Sequence, residues 1–375
     1  MKDMGRAVGA YDVAIVGAGL MGATAALFLA RGGMRCLLVD RKGVCAEASG
    51  VNAGTLTMQM TRAALIPFAL KGWEMWTEPQ TWLGADPGVI ATDGLALAFT
   101  DEEAELLERR AEARREHGAV INTVSAKKAR EIEPGLSDRI TLATHCPTDG
   151  HVTANKTGLA LRAALAAAHA EIHENCNVSA VRNENDGFVV ESNTATWRAQ
   201  RVVLAGGVWL EEMLGWLGVR LKINTLINQL IVTERLQPVM RCVVGIASGL
   251  LSLKQFENGT VVIGGGWQGR GDRAVGHAEV VPQNMIGNVR LAQYVIPALA
   301  EGRVVRAWCG FEAETSDAMP IVGAVPGVPE AFVIGSVHSG YTSGPYIAKL
   351  LAEHMLGRES DLSLFDPARL LDHGV

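Results

Sequence analysis

The sequence contains no CxxC. Its six cysteines, Cys36, Cys45, Cys146, Cys176, Cys242 and Cys309, are scattered and fit neither a disulfide framework nor a zinc or iron–sulfur ligand set. No metal is expected, and a reducing compartment is. There is no stripe of lysine and arginine interleaved with aromatics, and the formal charge is -6 with a pI near 5.9. Nucleic acid is thereby excluded as the expected partner, leaving small molecules and proteins. The first apolar run, residues 13–20, is glycine-punctuated and too short to span a bilayer. No signal peptide with a small-residue cleavage site precedes it. The expectation is a cytoplasmic protein with no transmembrane segment, reaching a membrane only peripherally through a complex. Repeats, low-complexity tracts and flexible linkers are also missing. What is present is apolar, with 48% hydrophobic residues and a mean hydropathy of +0.16. Either a partner subunit covers part of the surface, or the core is simply rich in buried Ala, Val and Leu.

At 375 residues, two domains or one large discontinuous domain is the natural expectation. Residues 11–16 are a continuous β-type run, 18–31 have helical composition, and 35–39 are a second apolar strand. That is a βαβ unit opening a parallel sheet. Helices are expected over 63–76, over the strongly charged 101–117 that Gly118 ends, over 126–132 behind a Ser125 cap, and over 156–170. The 101–117 helix reads as a solvated face. Strands near 172, 177–182, 187–192 and 201–204 form a small meander on the first sheet. Residues 225–233, with 251–256 and 260–264 joined by Asn258-Gly259, suggest a second, antiparallel sheet. A helix over 282–300, strands over 304–308 and 331–335, and a last helix over 345–356 follow. The fold class is mixed α/β: a Rossmann-like cofactor domain over 1–85, 145–215 and 302–375, and a discontinuous second domain over 86–144 and 216–301 for substrate or partner, built on the antiparallel sheet.

Gly17-Ala18-Gly19-Leu20-Met21-Gly22 fits GxGxxG directly after a strand and at the start of a helix, the context that this motif needs. Gly17 suits the tight turn, Gly19 the close approach of backbone to a pyrophosphate, and Gly22 close helix–strand contact, while the helix N-terminus offers free N–H groups to phosphate. Asp40, ending the second strand about twenty residues on, is placed to accept from a ribose hydroxyl, with Arg41 beside it. The fingerprint alone does not separate NAD from FAD.

Four further segments resemble the D-amino-acid-oxidase-like family of FAD enzymes, which includes glycine and sarcosine oxidases. They are residues 47–54 (EASGVNAG), 202–209 (VVLAGGVW), 315–323 (TSDAMPIVG) and 338–345 (HSGYTSGP). The resemblance runs over nearly the whole chain and implies noncovalent FAD. It places Ser49, Asn52, Ala53 and Gly54 along the cofactor, Ala205, Gly206, Gly207 and Trp209 over the dinucleotide, Val178 at the adenine, and Gly310, His338, Ser339, Gly340, Tyr341 and Thr342 near the flavin. Ordinary turn chemistry is the alternative for Ser49 and Asn52, and a plain core residue for Val178. His338 and Tyr341 are the candidates for hydrogen bonding to flavin or substrate, with a structural role open for His338.

Flavin amine oxidation needs the substrate C–H over flavin N5 and a neutral amine, so no obligatory catalytic base is expected. Glycine-oxidase-like members place a substrate-binding arginine where this chain has Glu312. That reversal suits a cationic group or an internal ion pair with Arg306; a rim residue without substrate contact is the alternative. Cys309 lies one residue out of register with the cysteine that attaches flavin covalently in monomeric sarcosine oxidases, and reads as a structural thiol. Trp267 is a candidate wall of the substrate pocket or an ordinary core residue. Residues 228–234, 262–269 and 308–312 further resemble the β subunits of multisubunit amine dehydrogenases, the group with opine oxidase, D-hydroxyproline and L-proline dehydrogenases and hydrogen cyanide synthase. This implies partner redox subunits, with FMN at an interface as a further cofactor. The leading expectation is an FAD-carrying dehydrogenase subunit oxidising a secondary amine or amino-acid derivative. The alternatives are a self-sufficient oxidase producing hydrogen peroxide, and an FAD-binding electron-relay or structural subunit.

Overall fold

The computed structural model describes residues 8–335 and 338–371. In the first sheet, the strands Val8–Val16, Cys36–Val39, Thr196–Leu204, Ala331–Gly335 and Glu171–His173 run parallel. Successive residues of the first strand feed opposite cores. Val13 and Ile15 pack under the helices Leu20–Arg31, Ala154–Ala167 and Gly340–Met355, and Ala14 and Val16 pack toward Leu210 and Leu214. The period of two, with both faces covered, is why these strands read as unbroken apolar runs. Val178–Glu184 and Gly187–Ser192 join Thr196–Leu204 as the expected antiparallel meander.

Among the described residues the second sheet has nine strands. Val304–Glu314 forms one edge, followed by Asn224–Arg235, Thr260–Gly264, Ser252–Gln255, Val243–Ile246, Ile90–Ala98 and Leu142–His151. It is antiparallel except where Val243–Ile246 meets Ile90–Ala98. Helix Pro282–Val295 contributes Ala292 and Val295 to the core beneath it.

Two expected boundaries move. The strand expected over 304–308 continues to Glu314 and pairs with Asn224–Arg235, so the break drawn at 301/302 leaves one strand of this sheet on the wrong side. The break at 144/145 falls inside Leu142–His151. That strand and Ile90–Ala98 are hidden in the sequence because Pro147-Thr148-Asp149-Gly150 and Asp93-Gly94 imitate turns. The register instead shifts between Thr92 and Gly94, where a Cβ on Gly94 would overlap the Asp149 carboxylate. The last helix starts at Gly340, five residues before the expected Pro345. Proline inside a helix leaves the carbonyl four residues back without its amide partner. Here that carbonyl, of Tyr341, accepts from Trp76 Nε1 at 2.6 Å.

Candidate active site

A cavity of about 1080 Å³ is lined by residues of both sheets. Small-molecule pockets usually hold roughly 300–1,000 Å³, so this one has room for an extended ligand. At one end lie Gly17, Gly19, Leu20, Met21 and Gly22. Gly17 has a φ of 110°, and a Cβ on it would overlap the Ala205 carbonyl, as a Cβ on Gly22 would overlap that of Gly17. Both positions are closed to side chains, whereas a Cβ on Gly19 would meet only Ser49 Oγ, at 3.3 Å. Gly19 thus leaves the backbone open to the cavity. The first bond inside the following helix runs from Ala23 N to Gly19 O, so the amides of Met21 and Gly22 have no acceptor within the helix. Ser49 takes one amide itself, accepting from Leu20 N at 2.9 Å, and so caps the helix as well as lining the cavity.

Asp40 does more than the motif suggested. Its Oδ2 accepts from Ala18 N at 2.7 Å, and its Oδ1 from the amides of Lys42 and Gly43 at 2.7 and 2.8 Å. A carboxylate has about four lone-pair sites, so Asp40 organises the turn and keeps acceptor capacity where it lines the cavity. Arg41 stacks over the Trp209 ring at 3.6 Å and pairs with Glu47 at 2.6 Å. Arg41, Asn52, Ala53, Val178, Ala205, Gly206, Gly207 and Trp209 all line the cavity; Ala18, Gly54 and Thr342 do not. Gly54 N donates to Asn52 Oδ1 and Thr57 N to Thr342 Oγ1. These are turn and packing roles.

The other end holds Gly310, Glu312, His338, Ser339 and Gly340. His338 Nδ1 lies 2.9 Å from Glu312 Oε1, Asn228 Nδ2 donates to Glu312 Oε2, and Gln268 Nε2 donates to Asn228 Oδ1 at 2.6 Å. Glu312 therefore pairs with His338 and Asn228, correcting the expected partner Arg306, whose guanidinium lies over the Trp308 ring. Two further candidates have defined surroundings. Tyr341 is 3% exposed, and its hydroxyl donates to Ser49 O at 2.5 Å; burial raises its pKa well above the usual tyrosine range. A phenol held this way ties the start of the last helix to the Ser49 loop, while Tyr341 still lines the cavity. Trp267 lies outside the cavity wall and packs its ring against Gly287 of the helix Pro282–Val295. Cys309 also lies off the cavity wall.

Sequence reasoning missed Asn228, Gln268, Arg62, Arg110 and Arg114, which all line the cavity. Asn228 was findable: with Leu226 and Leu230 it forms the period-two face of Asn224–Arg235 that lines the cavity, a polar residue between two leucines. Also missed was Lys254, 1% exposed, whose Nζ donates to Thr55 Oγ1. Burial pulls its pKa down to about 7.

Residues 12–354 match the family described as FAD dependent oxidoreductase. The chain belongs to that family. It is 27% identical to glycine oxidase of Geobacillus kaustophilus over 370 residues, covering 96% of this chain and 97% of that one. It is also 27% identical to an opine oxidase subunit of Rhizobium meliloti, over 376 residues with the same two coverages. The crystal structure of the Geobacillus glycine oxidase superposes with a TM-score of 0.87 at 25% identity, covering 98% of this chain and 100% of that chain. This chain is therefore an FAD-dependent oxidoreductase of mixed α/β fold. The closed turn at Gly17 and Gly22, the open backbone at Gly19 and the volume of the cavity fit FAD. No helix of the described residues is long and apolar enough to cross a membrane.

Proposed function

We propose that this chain oxidises the C–N bond of a secondary amine or amino-acid derivative and passes the electrons to a partner subunit. FAD, when bound, would supply the hydride acceptor for oxidation at the carbon next to nitrogen. The chain's own residues hold FAD noncovalently and orient the amine. Gly17, Gly19, Gly22 and the amides of Met21 and Gly22 take the pyrophosphate. Asp40 would take the ribose hydroxyl, and the N-terminus of Gly340–Met355 would hold the flavin edge.

The observation that carries the substrate reading is Glu312, a carboxylate in the cavity where the resemblance leads one to expect arginine. Held by His338 and Asn228, it attracts the cationic form of an amine and repels a carboxylate placed beside it. The similarity to the opine oxidase subunit along nearly the full length of both chains supports a role as the FAD-carrying subunit of a multisubunit enzyme in the cytoplasm. Its partners would carry the onward redox groups, an FMN at the shared interface among them.

The similarity to glycine oxidase favours a second reading, an oxidase that reduces oxygen by itself. The FAD-loaded chain, given substrate in air, should reduce an artificial electron acceptor much faster than it forms hydrogen peroxide. Peroxide formed as fast as dye is reduced establishes the second reading.

A further inference from the structure

Helix Asp101–Arg115 carries four arginines, which divide into two kinds. Arg109 and Arg115 pair with Glu105 and Glu112 of their own helix. Arg110 and Arg114 lie four residues apart, hence on one face, and both line the cavity together with Leu107. Among the described residues neither forms an ion pair. Each donates to a main-chain carbonyl instead: Arg110 Nη1 to Ala247 O and Arg114 Nε to Thr61 O, both at 2.7 Å. Like charges one turn apart oppose helix stability. Burial, and then the Arg110 charge, lower the Arg114 pKa to about 10, with Asp149 acting the other way. A third guanidinium, Arg62, lines the same cavity, 4.0 Å from Glu314, and its Nη1 is buried with no hydrogen-bond partner among the described residues.

Three consecutive residues connect these arginines to Glu312. Met60 O accepts from Ser339 Oγ at 3.3 Å, next to His338. Thr61 O accepts from Arg114. Arg62 reaches Glu314, two residues along the strand from Glu312 and so on its face. The main-chain anchors of the two ends, Met60 and Arg62, are two residues apart at a turn, so their Cα atoms lie roughly 5–7 Å from each other.

We propose that Arg110, Arg114 and Arg62 form a carboxylate subsite, so that the substrate is an amine bearing a carboxylate several bonds from the nitrogen that meets Glu312. This rests on the amine-oxidation reading and adds the substrate's second anchor. Guanidinium forks match carboxylate geometry with two parallel donors, which explains why arginine, and not lysine, fills all three positions. Glycine and sarcosine, whose carboxylate lies one carbon from nitrogen, are too short to bridge the two ends.

Calorimetric titration of the FAD-loaded chain with pentanoate and with its amide, pentanamide, tests this without any turnover. Pentanoate is expected to bind at least about tenfold more tightly than pentanamide. Arg110→Gln, a change at an exposed residue, should abolish that preference; Arg110→Lys should keep part of it, and Arg62→Gln should weaken pentanoate alone. Pentanoate binding that is immeasurable, equal to that of pentanamide, or unaffected by both glutamine variants overturns the subsite. Because no oxidation is read, a failed subsite is distinguishable from a failed amine-oxidase assignment, which flavin reduction tests.

Discussion

His338 Nδ1 and Glu312 Oε1 lie 2.9 Å apart, joining a residue at the start of the last helix to the edge strand of the second sheet. The Glu312 side chain keeps 28% of its surface accessible, so the pair closes part of the cavity without sealing it. Glu312→Gln preserves the shape and most of the hydrogen bonding while removing the charge. The KM for cationic amines should rise about tenfold, equivalent to ~1.4 kcal/mol, and that for matched neutral ligands should stay put. Steady-state kinetics across such pairs checks this, and equal shifts for both remove Glu312 from substrate binding.

Gly17→Ala tests the cofactor end. The left-handed φ and the overlap with Ala205 together strain the turn, and a residue forced into such a conformation costs about 1–3 kcal/mol. The purified variant should carry little FAD by its flavin-to-protein absorbance ratio. Full FAD content would mean that the turn is not held as described.

Tyr341→Phe separates structure from catalysis. Losing the hydroxyl leaves Ser49 O without that donor, at a cost of about 1 kcal/mol. The melting temperature should fall by a few degrees while kcat stays within about twofold. A large loss of kcat at unchanged stability would return Tyr341 to the catalytic machinery.

Lys254 gives the chain a pH signature. Its amine titrates near 7 in the folded protein against 10.5 unfolded. Between those values the unfolded chain holds a proton that the folded one has released, so this site's contribution to stability rises with pH across that window. Below pH 7 the buried ammonium weighs against the fold. Lys254→Met should therefore stabilise the protein at pH 6 by an amount on the order of a few kcal/mol, with the gain shrinking toward pH 10. Denaturant unfolding of both proteins across this range reads the difference; a gain independent of pH contradicts a buried titrating amine.

The sequence was most legible where backbone demands restrict the residue. Gly17 and Gly22 have no room for a side chain, so the dinucleotide turn shows in the letters themselves, and the first sheet shows in its doubly buried strands. It was least legible where tertiary partners replace local rules. Pro345 reads as a helix start because its sequence does not reveal that Trp76 takes the carbonyl freed at Tyr341. Asp93-Gly94 reads as a turn because Asp149, far along the chain, is what requires the glycine. Arg110 and Arg114 look like a solvated face for the same reason: the strands whose residues share their cavity lie far off in the chain.

Anaerobic absorbance titration of the FAD-loaded chain with opines, prolines, sarcosine, glycine and D-amino acids tests the central claim most directly. The flavin band should bleach with secondary amines that bear a remote carboxylate, opines foremost, and respond least to glycine. A bound flavin that none of these reduces, or a chain that takes up no flavin when supplied with FAD, would contradict it.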